Sequence, residues 1–107
     1  VGVLDRLLGR RRQGTSRAAT EADADYLEQW AASRRGVEAF VEPRTTVTET
    51  TVVLVAHDGE WTRRRVDGGQ GARRLGKRLR IPVYDVALIR YPQRMRDYTA
   101  RQRNRRS

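Results

Sequence analysis

Residues 47–66 read VTETTVVLVAHDGEWTRRRV, and their pattern decides the fold class. From Val47 to His57 the run is dominated by threonine and valine, β-branched residues that pack well on a pleated surface and lose freedom in a helix. Asp58-Gly59 then suits the two positive-φ positions of a type I′ turn, so Glu60 to Val66 is expected to return as an antiparallel neighbour. In that returning strand Trp61, Arg63 and Arg65 fall on one face and Thr62, Arg64 and Val66 on the other, because strand side chains alternate.

Immediately upstream, Val37, Ala39 and Val41 alternate with Glu38, Phe40 and Glu42 before Pro43, the signature of a short strand with one covered face. Before it, Thr20 with Asp23 approximates a capping box, and Glu21, Asp23 and Asp25 crowd the positive end of a helix dipole. That helix is expected to run to Arg35, with Gly36 as the left-handed residue past its end and Leu27, Trp30 and Ala31 as its buried stripe. Downstream, Asp67-Gly68-Gly69-Gln70-Gly71 breaks the third strand. Ala72, Leu75 and Leu79 then mark a short amphipathic helix with a cationic polar face, stopped by Pro82. VYDVALIR, residues 83–90, reads as a fourth strand.

The expectation is a single α+β domain over residues 20–91, in the order α-β-β-β-α with an antiparallel sheet and an extra C-terminal strand. It is flanked by a flexible basic segment, residues 1–19, and an Arg-rich tail, residues 92–107. Met95, Tyr98 and Gln102 form a weak helical stripe in the tail, but its six arginines repel one another, so ordering is expected to need a partner.

Composition narrows the function classes. Of 107 residues, 37% are apolar and 34% charged, against norms of about 45–50% and about 25%, so the core must be concentrated between residues 22 and 91. Zero cysteines exclude a disulfide framework and thiolate metal sites, and one histidine cannot build a histidine cluster, so no metal and no cofactor is expected. The apolar run Val1 to Gly9 is too short to span a bilayer and its arginines follow the apolar part, which fits neither a signal peptide nor a membrane span. A cytoplasmic protein without membrane insertion is the expectation.

Charge is sorted along the chain. Residues 1–20 carry +4, residues 21–60 carry −6 and residues 61–107 carry +12, making the net charge of +10. Coding bias in GC-rich genomes can supply arginine in place of lysine, but it does not place acids in one half and bases in the other. The segregation points to a surface built for polyanion.

The sharpest pattern is Arg73-Arg74-Leu75-Gly76-Lys77. Cations at i, i+1 and i+4 fan across one end of a helix whose N-terminal amides also favour phosphate. With glycines at 69 and 71 before the helix, and the helix-strand-strand-strand-helix order over residues 20–80, the chain resembles the double-stranded-RNA-binding domain, whose second helix carries a Lys-Lys-x-Ala-Lys cluster. The resemblance implies that Arg73, Arg74 and Lys77 clamp phosphates across a major groove. The chain departs from that family in two places. Its first helix carries Glu21, Asp23, Asp25 and Glu28 where the family reads a minor groove, and Pro43-Arg44-Thr45-Thr46 stands where the family has Gly-Pro-x-His.

The leading functional expectation is therefore a small basic RNA-binding protein on ribosomal or other structured RNA, without catalytic residues. Its candidate contacts are Arg73, Arg74 and Lys77 on the second helix, Arg63 and Arg65 on the third strand, Arg94, Arg96, Arg101, Arg103, Arg105 and Arg106 in the tail, and Arg10, Arg11 and Arg12 near the start. Trp61, Tyr91 and Tyr98 interleave with these cations as in single-strand binders, though core packing explains Trp61 better than stacking does. An alternative is a protein-interaction module using the acidic first helix and the basic tail to bind ribosomal or other proteins. A third reading rests on Gly68-Gly69-Gln70, which resembles the tripeptide of class I peptide-chain release factors and implies peptidyl-tRNA hydrolysis positioned by Gln70. His57 beside Asp58 and Glu60 lacks a candidate nucleophile, so a structural role at the hairpin turn is expected.

Overall fold

The computed structural model describes residues 21–106. Its elements are α1 (Glu21–Ala32), β1 (Glu38–Glu42), β2 (Thr51–Val55), β3 (Trp61–Arg65), α2 (Gly68–Leu79), β4 (Val83–Asp85) and α3 (Gln93–Arg106). The candidate cap at Thr20 and the arginines at 10, 11 and 12 lie outside the described residues. The strands form one sheet in the order β3-β2-β1-β4. β1, β2 and β3 pair antiparallel, while β4 runs parallel to β1. The sheet is thus mixed, where the sequence pattern led to an antiparallel one. The reason is the α2 crossover, which carries the chain from one edge of the sheet to the other.

Alternation along the strands divides the core into two layers. Ala39, Val52 and Leu54 face α1 and α2, where they pack with Leu27, Trp30, Ala72 and Leu75. Phe40, Val53 and Val55 face the opposite way and pack with Met95 of α3, bordered by Trp61, Tyr84 and Tyr91. β2 is covered on both faces, and Val52, Val53, Leu54 and Val55 are all 0% exposed. That explains its unbroken apolar run, since each such side chain contributes about 1.5–3 kcal/mol only when fully buried.

Several boundaries differ from the sequence expectation, each for a local reason. α1 ends at Ala32, where Ser33 Oγ and the Arg34 guanidinium both donate to the Trp30 carbonyl and Arg34 also reaches Glu60; Gly36 takes the expected left-handed conformation at φ 61°. β2 begins at Thr51 instead of Val47. The Thr45 hydroxyl accepts from the backbone N–H groups of Val47 and Thr48, closing a turn that competes with the ladder.

The hairpin also departs from type I′. Gly59 N–H bonds to Ala56 O and Ala56 N–H to Glu60 O, and only Gly59, at φ 94°, is left-handed. Asp58 keeps a negative φ and uses its carboxylate to accept from Glu60 N–H at 3.0 Å, which makes a three-residue loop cheaper than forcing a second left-handed residue. A Cβ at position 59 would stand 1.9 Å from the Arg94 carbonyl oxygen.

β4 stops at Asp85. Its partner β1 ends at Glu42, so beyond Val86, which bonds to Val41 O, no ladder remains. Asp85 then caps a turn, accepting from Ala87 N–H with its side chain and from Leu88 and Ile89 with its carbonyl.

The C-terminal segment is a helix seated on the sheet. Met95 is buried, the Trp61 indole donates to Thr99 Oγ1 at 3.1 Å, and Arg94 reaches Glu38 at 2.6 Å and Ala56 O at 2.9 Å. These contacts offset the like-charge repulsion that argued for a partner, because docking on a second apolar sheet face stabilises a helix that would be marginal alone.

Candidate nucleic-acid interface

α2 forms where the apolar stripe Ala72, Leu75 and Leu79 can cover the sheet. Its first turn uses Gly68 at φ 66°, and its end is closed by Arg80, whose backbone lies in the left-handed region at φ 56°, ψ 46° and whose N–H bonds to the last carbonyls of the helix. Arginine there costs of order 1 kcal/mol relative to the glycine usual at this position. At Gly76 a Cβ would come within 2.3 Å of Val83 Cγ2. Glycine therefore lets α2 press against β4 and keeps the space between them low.

The result is an open groove of about 670 Å³. Gly76, Ile81 and Val83 form its apolar part, with Gln70, Arg73, Arg74, Lys77 and Arg80 around it. Among the described residues no carboxylate lines it. Arg73, Arg74, Lys77 and Arg80 are all exposed, and among the described residues none of the four is in an ion pair. The structure thus gathers the three helix cations singled out by spacing and adds Arg80. The available sequence signal for Arg80 was its place three residues after Lys77 and just before Ile81-Pro82, where the helix must end.

The acids of α1 do not face this groove. Arg78, the neighbour of Lys77, binds Glu28 at 2.8 Å and approaches Asp25 to 3.8 Å, and its guanidinium pKa is raised by the Glu28 hydrogen bonds. Arg64 lies 3.8 Å from Asp23 and stacks over the Tyr26 ring at 3.7 Å. Glu38, Glu42 and Glu60 likewise bind Arg94, Arg63 and Arg34. Charges segregated along the chain are largely interleaved in space, and the cations around the groove remain outside that pairing.

The other candidate contacts divide by environment. Arg63, though exposed, is held by both oxygens of Glu42 at 2.7 and 3.0 Å, and Arg94 ties α3 to β1 and the hairpin, so both are already engaged within the domain. Arg65 is exposed at the end of β3. On α3, Arg96 donates to Gln93 and the Tyr91 carbonyl, and Arg101 donates to Asp58 O and sits over Tyr98. Arg103 and Arg105 are exposed along the same helix, which Arg106 ends. Trp61 and Tyr91 border the α3 core, so neither ring is a free stacking platform.

Glu42 gathers several donors. Beyond Arg63 it accepts from Thr51 Oγ1 at 2.5 Å and from the Tyr91 hydroxyl. Burial pushes its pKa up, but the hydrogen bonds from Arg63, Thr51 and Tyr91 outweigh this and hold it below the usual carboxylate value. The Tyr91 phenol is pushed up to about 12 by burial and by the Glu42 charge it faces. This network locks the segment leading into α3 onto the sheet.

Gly68-Gly69-Gln70 forms the first turn of α2, with Gln70 on the groove wall among cations. His57 is exposed on the hairpin turn. Among the described residues there is no group of three or more histidines and acids placed to hold a metal ion, and no helix is long and apolar enough to cross a membrane. Comparison with protein-family models, with curated proteins and with solved structures finds no match to this chain.

Proposed function

We propose that the protein binds RNA through its phosphate backbone, with the α2 groove as the primary surface and the arginines of α3 as a further one. The observation that carries this reading is the contrast around α2. Arg73, Arg74, Lys77 and Arg80 converge on a groove that no carboxylate lines among the described residues, while Asp23, Asp25 and Glu28, three of the four acids expected to repel RNA, pair with Arg64 and Arg78. The choice of RNA over other polyanions rests on the resemblance of Arg73-Arg74-Leu75-Gly76-Lys77 to the phosphate clamp of the double-stranded-RNA-binding domain. Structured RNA such as the ribosome's, in the cytoplasm, is the partner this reading favours.

A protein-interaction module built on the acidic helix has less to rest on, because Asp23, Asp25 and Glu28 already have partners within the domain. Binding of labelled ribosomal RNA fragments across a salt series tests the proposal. Four phosphate contacts at the groove give log K against log salt a slope of about −3 to −3.6, steeper if α3 engages. A slope shallower than about −2, or equal affinity for duplex DNA, would count against RNA as the ligand.

A further inference from the structure

α2 and α3 lie on opposite faces of one sheet. Ala72 and Leu75 of α2 pack against Ala39, Val52 and Leu54, whereas Met95 of α3 packs against Phe40, Val53 and Val55. These two sets alternate along β1 and β2, so the solvent-facing sides of the helices point away from each other. With roughly 10 Å per packed layer, the helix axes are about 20 Å apart with the sheet between them. Both outer surfaces are cationic. The α2 surface carries Arg73, Arg74, Lys77 and Arg80, and on α3 Arg96 and Arg101 are exposed, Arg96 donating to Gln93 and the Tyr91 carbonyl and Arg101 to the Asp58 carbonyl. Arg105 is exposed beyond them, and Asp97, the acid of α3, accepts from Gln93.

We propose that the two surfaces hold two separate phosphate backbones, so that one molecule bridges two RNA segments. The inference rests on the RNA reading above. A rigid duplex lying along α2 has the whole thickness of the domain between itself and α3, so simultaneous use of both surfaces requires a second segment. The α3 surface is fixed for this role by the same contacts that seat it: Gly59 admits the Arg94 carbonyl, and Arg94, Trp61 and Tyr91 pin the helix to the sheet. Once one segment is bound, a second meets a high local concentration of cations on the far side, and the two are brought together without any contact between protein molecules.

The test uses two short RNA duplexes carrying a donor and an acceptor dye, with the full chain titrated into their mixture. Energy transfer is expected to rise and then fall at excess protein, as each duplex becomes coated separately, and sedimentation at excess duplex is expected to give two duplexes per protein. Arg73→Glu with Lys77→Glu, and separately Arg101→Glu with Arg105→Glu, should each lower transfer at least tenfold while leaving one duplex bound. Near-ultraviolet circular dichroism of Trp30 and Trp61 checks that each variant is folded. Duplex binding by the unmodified protein without transfer overturns this inference alone. Transfer that persists in either double variant also overturns it, since a dimer using one surface twice would then be the bridge. No binding to either duplex overturns the RNA reading with it.

Discussion

The two sides of α2 carry the same chemistry to different ends. On one side Arg78 is held by Glu28 and Asp25 of α1; on the other, Arg73, Arg74, Lys77 and Arg80 line a groove whose wall, among the described residues, includes no carboxylate. The same division runs through the molecule, with Arg34, Arg63, Arg64 and Arg94 bound to carboxylates and fastening one element to another. Total charge therefore says little about function in this chain. Whether a cation has a carboxylate partner separates those engaged within the domain from those available to a ligand.

That division predicts opposite responses to mutation. The largest effect is expected from Arg73→Glu, Arg74→Glu and Lys77→Glu combined, which should weaken RNA binding by about a hundredfold, equivalent to about 2.7 kcal/mol, with the melting temperature little changed. Arg94→Ala should do the reverse. It strips Glu38 and the Ala56 carbonyl of a charged partner, and a loss of about 2 kcal/mol in denaturant unfolding is expected, with RNA affinity per folded molecule little changed. Gly76→Ala joins the two effects, because its Cβ must displace Val83. Overpacking of about 1–3 kcal/mol is partly offset by alanine's better helix propensity, so a net loss of about 1 kcal/mol is expected.

The Glu42 network adds a pH signature to the cations that hold the fold. Glu42 has its pKa lowered in the folded state, so its stabilisation is present above the ordinary carboxylate value and is lost as pH falls through the lower, folded one. Tyr91 has its pKa raised, so its contribution is present below 10.0 and is lost as pH climbs from there through about 12. Thermal melts across pH should show the acid loss reduced in Glu42→Gln and the alkaline loss reduced in Tyr91→Phe. The smallest effect is expected for Arg78→Ala. Its ion pairs are exposed, so stability should not change measurably, while release of Glu28 and Asp25 beside α2 should lower RNA affinity a few-fold.

Much of the scaffold was legible because it is written in local periodicity. Leu27 and Trp30 bury one stripe of α1, Thr62 and Arg64 alternate with Trp61 and Arg63, and Ala72, Leu75 and Leu79 cover the sheet from α2. What the sequence concealed depends on partners distant along the chain or on side chains competing with the backbone. Nothing local to VYDVALIR tells that only Val83 to Asp85 pair, because the limit is set by the end of β1 more than forty residues earlier. Thr45 and Asp58 altered the strand start and the hairpin through their own side-chain hydrogen bonds. The final helix looked too charged to order, since its stabilising contacts with Glu38 and Phe40 of β1 and Trp61 of β3 come from strands more than thirty residues away in sequence. For the candidate interface, the spacing of Arg73, Arg74 and Lys77 was visible. Arg80, and the pairing that separates Arg63 and Arg94 from them, required the fold.

On the proposed function, RNA phosphate meets the unpaired cations of α2 and not the paired ones. This reading is tested most directly by comparing the salt dependence of RNA binding in the unmodified protein, in the Arg73→Glu/Arg74→Glu/Lys77→Glu variant and in Arg94→Ala. The slope of log K against log salt is expected to become shallower by about 2 to 3 in the triple variant and to stay unchanged in Arg94→Ala. Equal slopes in the unmodified protein and the triple variant, or a shallower slope in Arg94→Ala alone, would contradict it.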